Sequence, residues 1–135
     1  MTAANIELVS SLYPAWERGD WRSTDWAHPE IEFIIVDGPA PGSWRGVAGM
    51  AEAYRGILSA WEGYRTAATE HRVVDEQTIL SLITITGRGK ASGLELQAEG
   101  ANLFQIRDGK VTRLAIYWNR ERALADLGLP PDEPA

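Results

Sequence analysis

The chain has 135 residues, of which 44% are apolar and 24% charged, with a net charge of −6 at pH 7 and no cysteine. That length holds one hydrophobic core, the acidic balance excludes nucleic acid as an expected partner, and the missing thiols exclude disulfides, thiolate nucleophiles and cysteine-ligated metals. No apolar run approaches the roughly 18 residues that a membrane span needs, and the opening "MTAANIELVSS" lacks the basic and apolar parts of a secretion signal, so a cytoplasmic protein with no membrane partner is expected.

In chain order, Ile6, Val9, Leu12, Tyr13 and Trp16 recur at helical spacing, with Thr2 or Asn5 able to cap the start. Pro14 falls inside this pattern and should kink the helix or end it early. Gly19 and Asp20 break the run, and Asp20 is placed to cap a short second helix through "WRSTDWAHPE". "IEFIIVD" reads as a strand and "DGPAPG" as the loop after it. Val47, Met50, Ala51, Tyr54, Ile57, Leu58 and Trp61 then form one apolar stripe and predict the clearest helix of the chain.

From residue 64 the texture changes to Val-, Ile- and Thr-rich runs separated by "DEQ", "GKASG" and "DGK", which read as an antiparallel meander of four strands. A last helix runs from a cap at Asn119 to Gly128, Pro130 and Pro131. The reading is one domain over residues 1–128 with a flexible tail at 129–135. Its order is α-α-β-α-β-β-β-β-α: an α+β protein with helices on one face of a curved, mainly antiparallel sheet.

Strand faces add detail. In "GLELQAEGANLFQIR" the alternate set Leu94, Leu96, Ala98, Gly100, Asn102, Phe104 and Ile106 is apolar except for Asn102, a lone inward amide that needs partners. In "TILSLITIT" both faces carry Ile or Leu, so the outer face should be covered as well, and a homodimer packed through the sheet would do that.

This order, with "YPAWERGDW", "HPEIEFI", "WRGVAGMAEAY", "LFQIRDGKVTRL" and "YWNRERALADLGL", resembles the nuclear transport factor 2-like superfamily, in particular its SnoaL-like members. The resemblance implies a cone-shaped α+β domain with the N-terminal helices on the concave face of the sheet, a pocket inside, and a homodimer. The implied pocket wall draws on Tyr13, Trp16, Trp26, the Val36–Trp44 stretch, Tyr54, Ile57, Leu58, Asn102, Phe104, Leu114, Ile116 and Trp118. Such a wall suits a small hydrophobic molecule.

Asp37 is the sharpest candidate for chemistry. Ketosteroid isomerase uses an Asp base beside an oxyanion hole built from a Tyr and a protonated Asp. Its base also ends a strand, opens a Pro/Gly loop and precedes a helix-opening Gly by nine positions, the spacing of Asp37 to Gly46. By that resemblance Asn102 stands where the protonated acid would, and Tyr13 lies one step from the tyrosine position. The bland alternative is that Asp-Gly after a strand is a turn in which the carboxylate bonds its own backbone.

Of the two histidines, His28 precedes Pro29 and is placed to reach the pocket mouth, whereas His71 is expected on an exposed, polar strand. Neither supports a metal site, and no cofactor is implied. Two functions remain open: an isomerase- or cyclase-type enzyme with Asp37 as general base toward a carbonyl compound, and a non-catalytic ligand-binding or dimerisation module.

Overall fold

The computed structural model describes residues 2–130. Helix α1 (Thr2–Glu17) is followed by strands β1 (Ala27–Ile35) and β2 (Gly42–Arg45), helix α2 (Gly46–Ala60), strands β3 (Trp61–Asp75), β4 (Thr78–Gly89), β5 (Glu95–Arg107) and β6 (Lys110–Tyr117), and helix α3 (Arg120–Asp126). The strands form one curved sheet in the order β2-β1-β6-β5-β4-β3. All neighbours are antiparallel except β1 and β6, which run parallel with Phe33 opposite Leu114 and Ile35 opposite Ile116.

Helix α1 lies against β3 and α2 against β1. Val9, Leu12, Tyr13 and Trp16 of α1 bury into the concave face as their spacing predicts. Pro14 does not end the helix, which runs three residues further to Glu17. Asn5 does not cap the helix; its Nδ2 donates at 3.0 Å to the carbonyl of Glu76 and tethers α1 to the β3–β4 turn.

The expected second helix is absent: residues 18–26 form turns and extended chain. Aromatic packing explains this. A helix would set Trp21 and Trp26 about 140° apart around its axis, yet both indoles pack on Trp16, with centroids 5.4 Å and 5.7 Å away. A non-helical backbone brings both rings to one cluster, and Trp21 also stacks on Tyr54 at 5.1 Å. The four-residue strand β2 is the converse case, short enough to be read as loop yet held by its ladder to β1. Trp61 ends the α2 stripe but has extended backbone and opens β3. Leu94, expected inward, precedes β5 and is exposed.

The outer face carries a second core. Leu80, Leu82, Ala101, Leu103, Ala115 and Tyr117 pack under Ala123 and Leu124 of α3. That short helix is started by Asn119, whose Oδ1 accepts from the Arg122 N–H at 3.2 Å, and Arg120 donates to the carbonyls of Gly100 and Ile83. The apolar outer side of β4 is therefore covered within one chain, and its composition alone does not call for a second copy. Leu129 packs at the edge of this cluster, its N–H bonded at 2.9 Å to Leu124; the rest of the expected tail, from residue 131, lies outside the described residues.

Gly100 is where β5 passes closest to β6: a Cβ there would lie 2.1 Å from the Tyr117 carbonyl oxygen. Since that oxygen is backbone, relief requires the strands to part. Gly100→Ala should lower the unfolding free energy by about 1–3 kcal/mol in urea titration, as overpacking does, whereas Gly109→Ala in the β5–β6 turn meets no neighbour and tests the backbone effect alone.

Candidate functional site

Strand β1 alternates, sending Phe33 and Ile35 into the concave core and Ile34 and Val36 to the outer cluster. Its ladder with β6 ends where the Val36 N–H bonds the Ile116 carbonyl at 2.9 Å. Asp37 extends it with a side chain: Oδ1 accepts from the Trp118 N–H at 2.5 Å, while Oδ2 is buried without a partner. The carboxylate thus bonds a neighbouring strand end and not its own turn.

The loop that follows is shaped by two glycines. Gly38 has φ +93°, and a Cβ there would lie 2.9 Å from Cδ2 of Trp118; a Cβ on Gly42 would lie 2.7 Å from Cη2 of Trp44. Each indole lies against bare backbone, and Pro39, Ala40 and Pro41 span the gap between them. Opposite stands α2, whose Ala53, Gly56 and Ala60 form a smooth small-residue face on one side of the helix. Trp61 closes the end, its ring 5.8 Å from that of Trp118 at 50°. The space enclosed is a cavity of about 540 Å³, lined also by Ile35, Ile57 and Glu52.

Deeper in the cone there is a polar row instead of a void. Strand register places His71 opposite Ser81 and Ser81 opposite Asn102. Tyr13 of α1 lies over them. Asn102 Nδ2 donates to Tyr13 Oη at 2.9 Å, Tyr13 bonds Ser81, and Ser81 Oγ lies 2.7 Å from His71 Nδ1. Burial raises the Tyr13 phenol well above its usual range, opposed in part by its bonds to Ser81 and Asn102, so it stays neutral and acts as a donor. The amide of Asn102 donates into the row, and Ser81 Oγ and His71 Nδ1 share one proton at its far end. Asn102 Oδ1 is buried with no partner. Phe104, Leu114 and Ile116 pack around the row as core, with Trp16 stacked on Phe104 at 6.3 Å.

The residues expected around one pocket are therefore distributed over three places. Trp44 and Trp118 line the cavity beside Asp37. Trp16, Trp26, Tyr54 and Leu58 line a second, more open cleft of about 670 Å³ between the end of α1 and α2, rimmed by Arg18, Asp20, Arg22 and Arg55. Tyr13, Asn102, Phe104, Leu114 and Ile116 are interior. Asp37 and Asn102 line neither large space, and they are not bonded to each other. His28 lines neither as well; its Nδ1 accepts from the Glu30 N–H at 3.0 Å. Among the described residues no group of three or more His, Cys, Asp or Glu side chains is placed to hold a metal.

The sequence reading missed Ser81, His71, Trp61 and Glu52. Ser81 alternates with Ile79, Ile83 and Ile85 on the inward face of β4, the same lone-polar signal that marked Asn102. His71, expected exposed, is partly buried beside Tyr13, with ring centroids 5.4 Å apart.

The SnoaL-like domain family model matches residues 9–114, and the chain belongs to that family. Solved structures share the fold throughout. A ketosteroid isomerase-like protein from Catenulispora acidiphila has a TM-score of 0.69 at 16% identity, over 96% of this chain and 98% of its own. TerC aligns with a TM-score of 0.74 at 22% identity over 92% of this chain and 97% of its own. A protein named as a candidate SnoaL-like polyketide cyclase from Jannaschia reaches 0.74 at 15% identity, over 96% and 95% of the two chains. No protein of curated function matches the chain.

Two measurements test the polar row. Tyr13→Phe removes the hydroxyl that joins Asn102 to Ser81 and strands a buried donor, so urea unfolding should show a loss of about 1–3 kcal/mol. Desolvation lowers the His71 pKa below its usual value, so the folded state binds its proton less readily than the unfolded chain. The associated stability is present above about pH 6.5 and is lost as the pH falls through the lower folded value. Wild type should accordingly lose more stability than His71→Gln between pH 8 and pH 5; equal losses would refute the placement of the imidazole.

Proposed function

We propose that this SnoaL-like domain binds a small, largely apolar molecule in the cavity between the Gly38–Gly42 loop, α2, Trp61 and Trp118. The observation that carries this reading is the wall itself: three indoles, two of them in close contact with glycine backbone, border a recess of about 540 Å³ instead of packing it shut. Aromatic and proline surfaces give contact area at low entropic cost, which is the usual make-up of a ligand site. Two relatives support a small-molecule role for the fold: the Catenulispora acidiphila structure is a complex with trimethylamine, and TerC was co-crystallized with polyporic acid.

A second reading, acid/base catalysis on a bound carbonyl compound, is favoured by one atom. Asp37 Oδ2 is buried and unpartnered, and Asp37 stands in the chain between Ile35 and Pro39, which line the cavity. Were that oxygen to reach the ligand, it would take a proton from the carbon next to a carbonyl. The oxygen donors first expected for that reaction, Asn102 and Tyr13, are bonded to each other in the interior, so this reading needs another group to bear the developing charge.

NMR of the tryptophan indole N–H signals separates these possibilities with 2-tetralone as the probe. Binding in the cavity should shift Trp44, Trp61 and Trp118 and spare Trp21 and Trp26, whose N–H groups are tied to the Tyr64 and Ser23 carbonyls. Trp118→Ala should weaken binding about tenfold or more, the scale of a buried aromatic contact. Shifts confined to Trp16, Trp21 and Trp26 would move the site to the other cleft. For the second reading, wild type in D₂O should exchange the probe's α-hydrogens, and Asp37→Asn should abolish exchange while still binding; exchange undiminished in that variant rules Asp37 out as base.

A further inference from the structure

The cavity's chemistry is more specific than apolar. Among the described residues lining it, Glu52 alone carries a charge, and its carboxylate forms no ion pair or hydrogen bond. No Lys, Arg or His contributes to the lining. Pro39 and Pro41 bring no backbone N–H to the loop side, so the loop offers a carboxylate or phosphate little to bond. The one formal charge on the lining is negative.

Trp44, Trp61 and Trp118 converge on this negative space. Indole is the strongest ring for attracting a cation over its face, and the attraction grows when water is excluded. Gly38 and Gly42 allow two of the rings to lie on backbone, which fixes them as walls. The other cleft is the opposite case: it too has aromatic rings, but Arg18, Arg22 and Arg55 stand at its rim, and Arg22 already holds Asp20. One small domain thus presents two aromatic recesses of opposite charge.

We propose that the cavity takes an alkylated ammonium cation, caged by Trp44, Trp61 and Trp118 with Glu52 as the counter-charge at the rim. This rests on the reading that the cavity is the ligand site. An anion would be repelled by Glu52, and a cation over the indoles would be attracted by it. The alkyl groups of such a cation spread its charge and weaken its hydration, so ring faces replace water at little loss.

Choline and 3,3-dimethylbutan-1-ol have the same shape and differ by the charge, so the pair isolates it. By calorimetry choline should bind the intact protein about tenfold more tightly than the alcohol, the difference expected of a caged cation. Glu52→Gln, on the exposed side of α2, should weaken choline several-fold and leave the alcohol unchanged. Trp61→Leu should weaken choline more than the alcohol, and it serves if Trp118 variants fail to fold. Equal affinity for the two probes overturns the cation assignment and leaves the cavity reading standing. If neither these probes nor 2-tetralone shifts the Trp44, Trp61 and Trp118 indole signals, the cavity reading itself falls. Shifts at Trp21 and Trp26 with choline would also overturn the assignment.

Discussion

The cavity end of the molecule is held by a single carboxylate. The ladder between β1 and β6 stops at Val36, and beyond it two chains leave the sheet in different directions, one into the Gly-Pro loop and one into α3. Asp37 bridges them by accepting the Trp118 N–H. A charged acceptor on a backbone donor contributes about 1.5–3 kcal/mol, and here that bond sets three things together. It fixes where the loop starts, where β6 ends, and the height at which the Trp118 indole lies across Gly38. Glycine at 38 follows from the same contact, because the ring approaches to a distance that no side chain allows.

From that fastening the interior divides into parts with different solvent logic. The middle of the cone is dry and polar groups there pair with one another, Asn102 with Tyr13, Tyr13 with Ser81, Ser81 with His71. A buried network of this kind specifies one arrangement of α1 on the sheet, since sliding the helix by a residue would turn Tyr13 about 100° away from its partners. The ends of the cone are recesses walled by aromatic rings. Helix α2 serves both: Ala53, Gly56, Ile57 and Ala60 face the cavity, while Met50, Ala51, Tyr54, Arg55 and Leu58 face the cleft.

What was legible in the sequence was what short-range pattern decides. The stripes of α1 and α2, the alternation of β1 and β5, the cap at Asn119 and the lone inward amide at Asn102 all follow from period and burial. What was not legible depended on distant partners. Residues 21–26 contain helix-compatible composition, but their conformation is set by Trp16 and Tyr54, which are remote in sequence or packed from another element. The division of one expected pocket into a cavity, a cleft and a filled centre depends on how far α1 and α2 stand apart, which no local pattern encodes. Glu52 was invisible for a related reason: on the helical wheel it is an ordinary solvent-facing glutamate, and only the loop opposite makes it part of a wall.

Asp37 itself carries the tension between fold and function. A carboxyl group presents two oxygens to its surroundings, and the chain serves one while burying the other. A buried oxygen without a partner carries a cost of the order of 1–3 kcal/mol, and an asparagine in its place would bury an amide with two unpaired donors instead. A site that supplies something to Oδ2 when occupied relieves that cost. A nearby cation does so by charge, and a carbon acid does so by proton transfer. Trp118 bears on both, since its backbone N–H holds Oδ1 and its side chain stands in the wall of the cavity.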